Sequence, residues 1–146
     1  MERRKTRQIS IGPVKVGGDA PLSVQSMTKT DTRDVQKTVA QIRSLEEAGC
    51  EIIRVAVVDE PAARAIAAIK KRIRIPLIAD IHFHPRLALL AMASGADGLR
   101  VNPGNIGGRE RLKPVVTEAR ERSVPIRGGV NSGSLEKDLL KRFGGV

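Results

Sequence analysis

Residues 51–82 read EIIRVAVVDEPAARAIAAIKKRIRIPLIADIH, and this stretch decides the fold. EIIRVAV (51–57) is an aliphatic, β-branched run broken once by Arg54. Asp59-Glu60-Pro61 then opens an alanine-rich helix, with acidic residues and proline where a first turn tolerates them. PLIADIH (76–82) reads as a second strand. Strands alternating with helices of about 10–15 residues make right-handed βαβ units and a parallel sheet.

The same alternation extends in both directions. Upstream, RQISIGPVKVGG (7–18) suits a short hairpin and PLSVQSM (21–27) a first core strand. Residues 34–48 then place Val35, Val39, Ile42 and Leu45 on one helical face and stop at Gly49. Downstream, His84-Pro85 leads into a helix with Leu87, Leu90 and Ala91 that ends near Gly95. ADGLRVN (96–102) is the fourth strand. A helix over 109–122 follows, with Leu112, Val115, Val116 and Ala119 on one side and Pro114 in its first turns or kinking it. PIRGGVN (125–131) is the fifth strand. The fold class is α/β, either a barrel or an open doubly wound sheet, and the barrel is favoured. Five strands and four full helices are little more than half of a (β/α)8 TIM barrel, which typically needs about 250 residues. The chain stops in KRFGGV with neither a domain end nor a sixth strand, so residues 1–146 are expected to be part of a larger architecture. A sheet ending after five strands would have two open edges, so association between copies is expected.

At 146 residues the chain is about one domain. Phe83 and Phe143 are its only aromatics, so the core is aliphatic. Cys50 alone supplies too few thiolates for a disulfide framework or an iron–sulfur site and suits a small buried hydrophobe. No apolar run approaches the roughly 18 residues of a membrane span, and MERRKTR precedes no signal-peptide core, so a cytoplasmic location with no membrane partner is expected. The net charge of +10 invites a nucleic-acid reading. Its cations are scattered and lack interleaved aromatics, so no nucleic-acid partner is expected.

Arginine enters three of the five strands, at Arg54, Arg100 and Arg127. An unpaired charge buried in a covered parallel sheet costs several kcal/mol or more, so something anionic should meet them. All three sit near the carboxyl ends of their strands, where β/α enzymes collect ligands. Strand parity pairs Gln25 with Met27, Asp80 with His82, Arg100 with Asn102, and Arg127 with Asn131 across Gly129. Each doublet alone is better read as structural. Recurrence at one end of successive strands makes a candidate site. The segment Asn102-Pro103-Gly104-Asn105-Ile106-Gly107-Gly108 adds a glycine-rich loop that can bring backbone N–H groups to an oxyanion, though as a pattern it suits a plain turn equally. Beside guanidinium forks it suggests a phosphorylated ligand.

VQSMTKT (24–30), ADIHF (79–83), LRVNPGNIG (99–107) and IRGGVNSGSLEKDLL (126–140) resemble the amino-terminal half of the 4-hydroxy-3-methylbut-2-en-1-yl diphosphate synthases. The resemblance implies an oxidoreductase of non-mevalonate isoprenoid biosynthesis that reductively opens 2-C-methyl-D-erythritol 2,4-cyclodiphosphate at the mouth of a TIM barrel. It implies Arg54, Arg100, Asn102, Arg127, Asn131 and His82 as diphosphate and substrate contacts, with Asp80 and His82 as the catalytic residues and Asp80 orienting His82 or a substrate hydroxyl. It further implies a [4Fe–4S] cluster held in a carboxyl-terminal domain, ferredoxin or flavodoxin as electron donor, and a homo-oligomer. None of the cluster ligands lies in this chain, which alone is expected to be inactive. Gly128 and Pro114 depart from the family pattern. Two rivals stand beside this reading. One is a non-redox phosphate-handling barrel of the pterin-synthase or aldolase kind, with Asp80 and His82 in acid–base roles; no strand carries a lysine for a Schiff base, since Lys29 and Lys137 read as loop residues. The other is a basic polyanion-binding module.

Overall fold

A computed structural model describes residues 4–135 and 137–144. Its main sheet has five strands, β3 (Gln25–Met27), β4 (Ile52–Val57), β5 (Leu77–Ile81), β6 (Gly98–Val101) and β7 (Ile126–Gly128), all parallel and in sequential order. Sequential order decides between the two architectures left open by the sequence. Right-handed crossovers that always step the same way put every helix on one side, whereas a doubly wound sheet reverses its order at a switch point. The sheet is therefore an arc of a TIM barrel, with helices outside and the opposite face lining the interior.

The outer face is the aliphatic core. Ile53, Val55 and Val57 of β4, Leu77, Ala79 and Ile81 of β5, and Leu99 and Val101 of β6 alternate outward and are buried. Helices α1 (Val35–Glu47), α2 (Glu60–Lys70), α3 (Pro85–Ala93) and α5 (Arg109–Glu121) cover them with Ile42, Ile66, Ile69, Ala88, Ala91, Val115 and Ala119. Each buried aliphatic side chain of this size stabilises the fold by about 1.5–3 kcal/mol relative to exposure. Local chemistry sets the helix ends. Asp34 and Asp59 cap α1 and α2 by accepting the N–H groups of Lys37 and Ala62 at 3.1 and 2.9 Å, and Gly49, at φ +92°, takes the left-handed position after α1.

The interior face is layered. Residues paired in register share a face, which sets Gln25 beside Ile52, then Met27, Arg54, Ile78 and Gly98 in one row, and Ala56, Asp80, Arg100 and Arg127 in the row above. The amino-terminal hairpin, β1 (Ile9–Ile11) with β2 (Val14–Val16), lies under the apolar end: Ile11, Ile52 and Ile78 form a second small core backed by Val14 and Val16. Polarity thus rises toward the carboxyl ends of the strands.

Four features differ from the sequence reading. PLSVQSM is strand only at Gln25–Met27, which pairs on one side alone, and Leu22 and Val24 ahead of it are exposed. Val116 faces solvent, because α5 turns only Leu112, Val115 and Ala119 toward the sheet. The segment read as a loop after β6 contains one helical turn, α4 (Pro103–Ile106). Beyond β7, a 3-10 turn (Ser132–Ser134) leads to α6 (Lys137–Phe143), so Lys137 begins a helix. No helix among the described residues is long and apolar enough to cross a membrane.

Candidate functional site

Asp80 is the centre of the carboxyl-end mouth. Strand β5 projects it inward at 2% exposure, and its oxygens are shared between two arginines from the flanking strands. Oδ1 accepts from Arg100 Nη1 at 3.1 Å, and Oδ2 lies 3.3 Å from Arg54 Nε. Arg54 stands one row lower and reaches upward, which only a long side chain can do. It also donates to Met27 Sδ from Nε and Nη2 at 3.3 and 3.2 Å. Arg100 donates its Nη2 to the carbonyl of Gly129 at 3.3 Å. His82, two residues along β5 from Asp80 and at the rim, brings Nε2 to 3.4 Å from Asp80 Oδ1 and packs against Phe83 with ring centroids 6.0 Å apart. Arg127 is exposed beside Arg100 and donates Nη1 to Gln25 Oε1 at 3.2 Å, across the interior from the opposite edge strand.

The two asparagines are placed differently. Asn102 is buried, and both its polar ends are engaged: Oδ1 accepts the N–H of Gly104 at 3.2 Å, capping α4, and Nδ2 donates to Ser134 Oγ at 2.9 Å. Asn131 is exposed at the start of the turn after β7, where its backbone N–H donates to Ser134 Oγ at 3.0 Å and its carbonyl accepts from that hydroxyl at 3.1 Å. Ser134 therefore fastens the loop after β7 onto the loop after β6. Of the seven residues expected at the site, Arg54, Asp80, His82 and Arg100 form one contiguous cluster, Arg127 adjoins it in register, and Asn102 and Asn131 meet through Ser134.

Gln25, Met27 and Ser134 were not among the expected site residues. Parity had already set Gln25 and Met27 on the interior face. Nothing local in the sequence pointed to Ser134, whose contact with Asn102 spans 32 positions.

At the same end, Arg33 bridges Asp31, in the loop after β3, to Asp59, the cap of α2, at 2.6 and 3.1 Å. The Arg33 guanidinium and then the Arg33 backbone N–H hold the Asp31 carboxyl down to about 2. An unfolded Asp titrates near roughly 3.9. A depressed native value stabilises the fold above the unfolded one and loses that contribution as pH falls. Wild type is therefore expected to lose stability between about pH 4 and pH 2 more steeply than Asp31→Asn, measured as the acid limb of urea midpoints followed by circular dichroism. Parallel acid limbs would show that the contact does not persist in solution.

Chemically, the mouth carries an excess of positive charge. The guanidiniums of Arg54 and Arg100 share one carboxylate and that of Arg127 stands beside Arg100 on a neutral amide, which leaves an excess of two positive charges, and guanidinium forks match phosphate oxygens bidentately. Cys50, the only cysteine, is buried with its thiol donating to the carbonyl of Ile52 at 3.1 Å. No group of three or more His, Cys, Asp or Glu among the described residues could hold a metal ion. These residues do not fit an iron–sulfur cluster.

A family model described as the GcpE TIM-barrel domain matches residues 6–146. The chain belongs to the GcpE TIM-barrel domain family. The 4-hydroxy-3-methylbut-2-en-1-yl diphosphate synthase (flavodoxin) of Ruminiclostridium cellulolyticum is 57% identical over 146 residues, which cover all of this chain and 41% of that protein. The enzyme of the same name from Caldanaerobacter subterraneus subsp. tengcongensis is 60% identical over 144 residues, 99% of this chain and again 41% of the relative. This GcpE-family chain thus spans about two fifths of the length of these curated relatives. Among solved structures, a dihydropteroate synthase of Yersinia pestis superposes with a TM-score of 0.61 at 13% identity, over 92% of this chain and 51% of that one. That likeness shows the barrel fold alone.

Proposed function

We propose that this GcpE-family chain is the amino-terminal, diphosphate-holding portion of the barrel of a 4-hydroxy-3-methylbut-2-en-1-yl diphosphate synthase, an oxidoreductase of isoprenoid biosynthesis whose substrate is 2-C-methyl-D-erythritol 2,4-cyclodiphosphate. The pairing of Arg54 and Arg100 on one buried carboxylate, with Arg127 beside Arg100 on a neutral amide, carries the reading, because it leaves a doubly positive mouth where a cyclic diphosphate presents two anionic phosphoryl groups. The names of the close relatives support the product, 4-hydroxy-3-methylbut-2-en-1-yl diphosphate, and flavodoxin as electron donor.

In this reading the arginines bind and orient the diphosphate by preorganised electrostatics. Asp80 keeps Arg54 and Arg100 extended toward the mouth, and His82, held by Asp80 at its Nε2, is placed to exchange a proton with a ligand oxygen at the rim. Asn131, exposed above the fastened loops, adds a polar contact. Asn102 contributes by holding α4 and the loop after β7 together. The redox cluster is held by residues outside this chain, and the residues present take no part in electron transfer. A cytoplasmic location and a homo-oligomeric state belong to the same proposal.

Titration of the cyclic diphosphate into the wild-type chain, followed by calorimetry, is expected to show weak binding. Arg100→Ala and Arg127→Ala should each weaken it by roughly 10–100-fold, the scale of one charge-assisted hydrogen bond. Equal affinity in all three proteins would remove the mouth as the binding site.

A further inference from the structure

Three arginines serve the mouth, and they are held by different chemistry. Arg54 and Arg100 share the carboxylate of Asp80, which offsets one positive charge. Arg127 is held instead by a neutral acceptor, the amide oxygen of Gln25, at 3.2 Å. Met27, on the same short strand as Gln25, gives Arg54 a neutral partner through Sδ in addition to Asp80. A carboxylate in place of Gln25 would hold Arg127 more strongly and cancel the charge a phosphate needs. A neutral amide fixes the direction of the guanidinium and leaves its charge intact.

We propose that Gln25 is a positioning residue for anion binding, which holds Arg127 over the mouth without neutralising it. The inference rests on the arginine mouth being the diphosphate site. Gln25 and Arg127 come from the two outermost strands, 102 positions apart in sequence, and meet across the interior above the apolar space lined by Ile11, Ile52 and Ile78. The contact therefore ties the affinity of the site to the curvature of the sheet. A guanidinium on an exposed edge strand samples several rotamers, and ordering it before the ligand arrives lowers the entropic cost of binding.

The test uses inorganic pyrophosphate as probe, with calorimetry on the chain carrying Gln25→Met, Gln25→Glu, Arg127→Ala and the Gln25→Met/Arg127→Ala pair. Gln25→Met keeps the length of the side chain and removes the amide acceptor, and it should weaken binding about fivefold, the worth of one ordinary hydrogen bond. Gln25→Glu should keep Arg127 in place yet weaken binding about tenfold or more, because the added carboxylate competes with the anion. The double variant should bind no more weakly than Arg127→Ala, since Gln25 acts only through Arg127. In nitrogen-15 spectra the Arg127 Nε–H resonance should move in Gln25→Met, a signature that a general loss of stability would not confine to one guanidinium. Wild-type affinity in both Gln25 variants, or additive losses in the double variant, would overturn the inference while leaving the arginine site standing if Arg127→Ala still binds weakly. Unchanged affinity in Arg127→Ala would overturn both.

Discussion

Asp80→Ala is expected to cost the chain about 3 kcal/mol of stability, more than any exposed ion pair it contains. The substitution removes the only carboxylate among the described residues that meets Arg54 and Arg100 and leaves two guanidiniums side by side, with side chains 26% and 10% exposed. Breaking a buried pair from one side costs about 3–5 kcal/mol, and water reaching Arg54 brings the figure to the lower end. Asp80→Asn keeps the shape and one acceptor oxygen and should cost about half as much. The chain has neither Trp nor Tyr, so the urea midpoint is read by far-ultraviolet circular dichroism. A midpoint unchanged in Asp80→Ala would mean that the arginines do not depend on Asp80.

Gly104→Ala is the second large effect. A Cβ at Gly104 would stand 1.8 Å from the carbonyl oxygen of Ser134, a backbone atom that cannot swing aside. Either α4 or the turn after β7 has to move, and the Asn102 to Ser134 hydrogen bond goes with it. Overpacking of this kind costs about 1–3 kcal/mol and occasionally more, and a backbone obstacle places it at or above the top of that range. Gly128→Ala is the matched control. Its Cβ would meet open space, and its effect should stay within about 0.5 kcal/mol. Similar losses in the two variants, measured by the same denaturation, would show that the two loops are not fastened in solution.

The parts of this structure legible in the sequence are those governed by local periodicity. The three-to-four spacing of Val35, Val39, Ile42 and Leu45 showed which face α1 buries, and strand parity put Gln25, Asp80, Arg100 and Arg127 each on a face with a second polar or sulfur-bearing residue. What stayed hidden depends on register and on contacts between distant segments. That Asp80 holds Arg54 as well as Arg100 follows from a pairing that sets Arg54 one row below, a relation no single strand contains. Asn102 has the composition of a ligand contact, yet its amide is spent on Gly104 and Ser134, because the turn after β7 folds back over α4. Leu22 and Val24 have strand-like character but no second neighbouring strand, so the ladder begins only at Gln25.

The most direct test of the account replaces the corresponding segment of the Ruminiclostridium cellulolyticum relative, 57% identical across this chain, with residues 1–146. Turnover of 2-C-methyl-D-erythritol 2,4-cyclodiphosphate by the chimera is then measured with flavodoxin as donor. The account predicts turnover within about tenfold of the parent enzyme, and a loss of at least about 100-fold when Arg100→Ala is added, since the arginine mouth would be orienting the diphosphate. A chimera that folds but turns over no substrate, or one indifferent to Arg100→Ala, would contradict it.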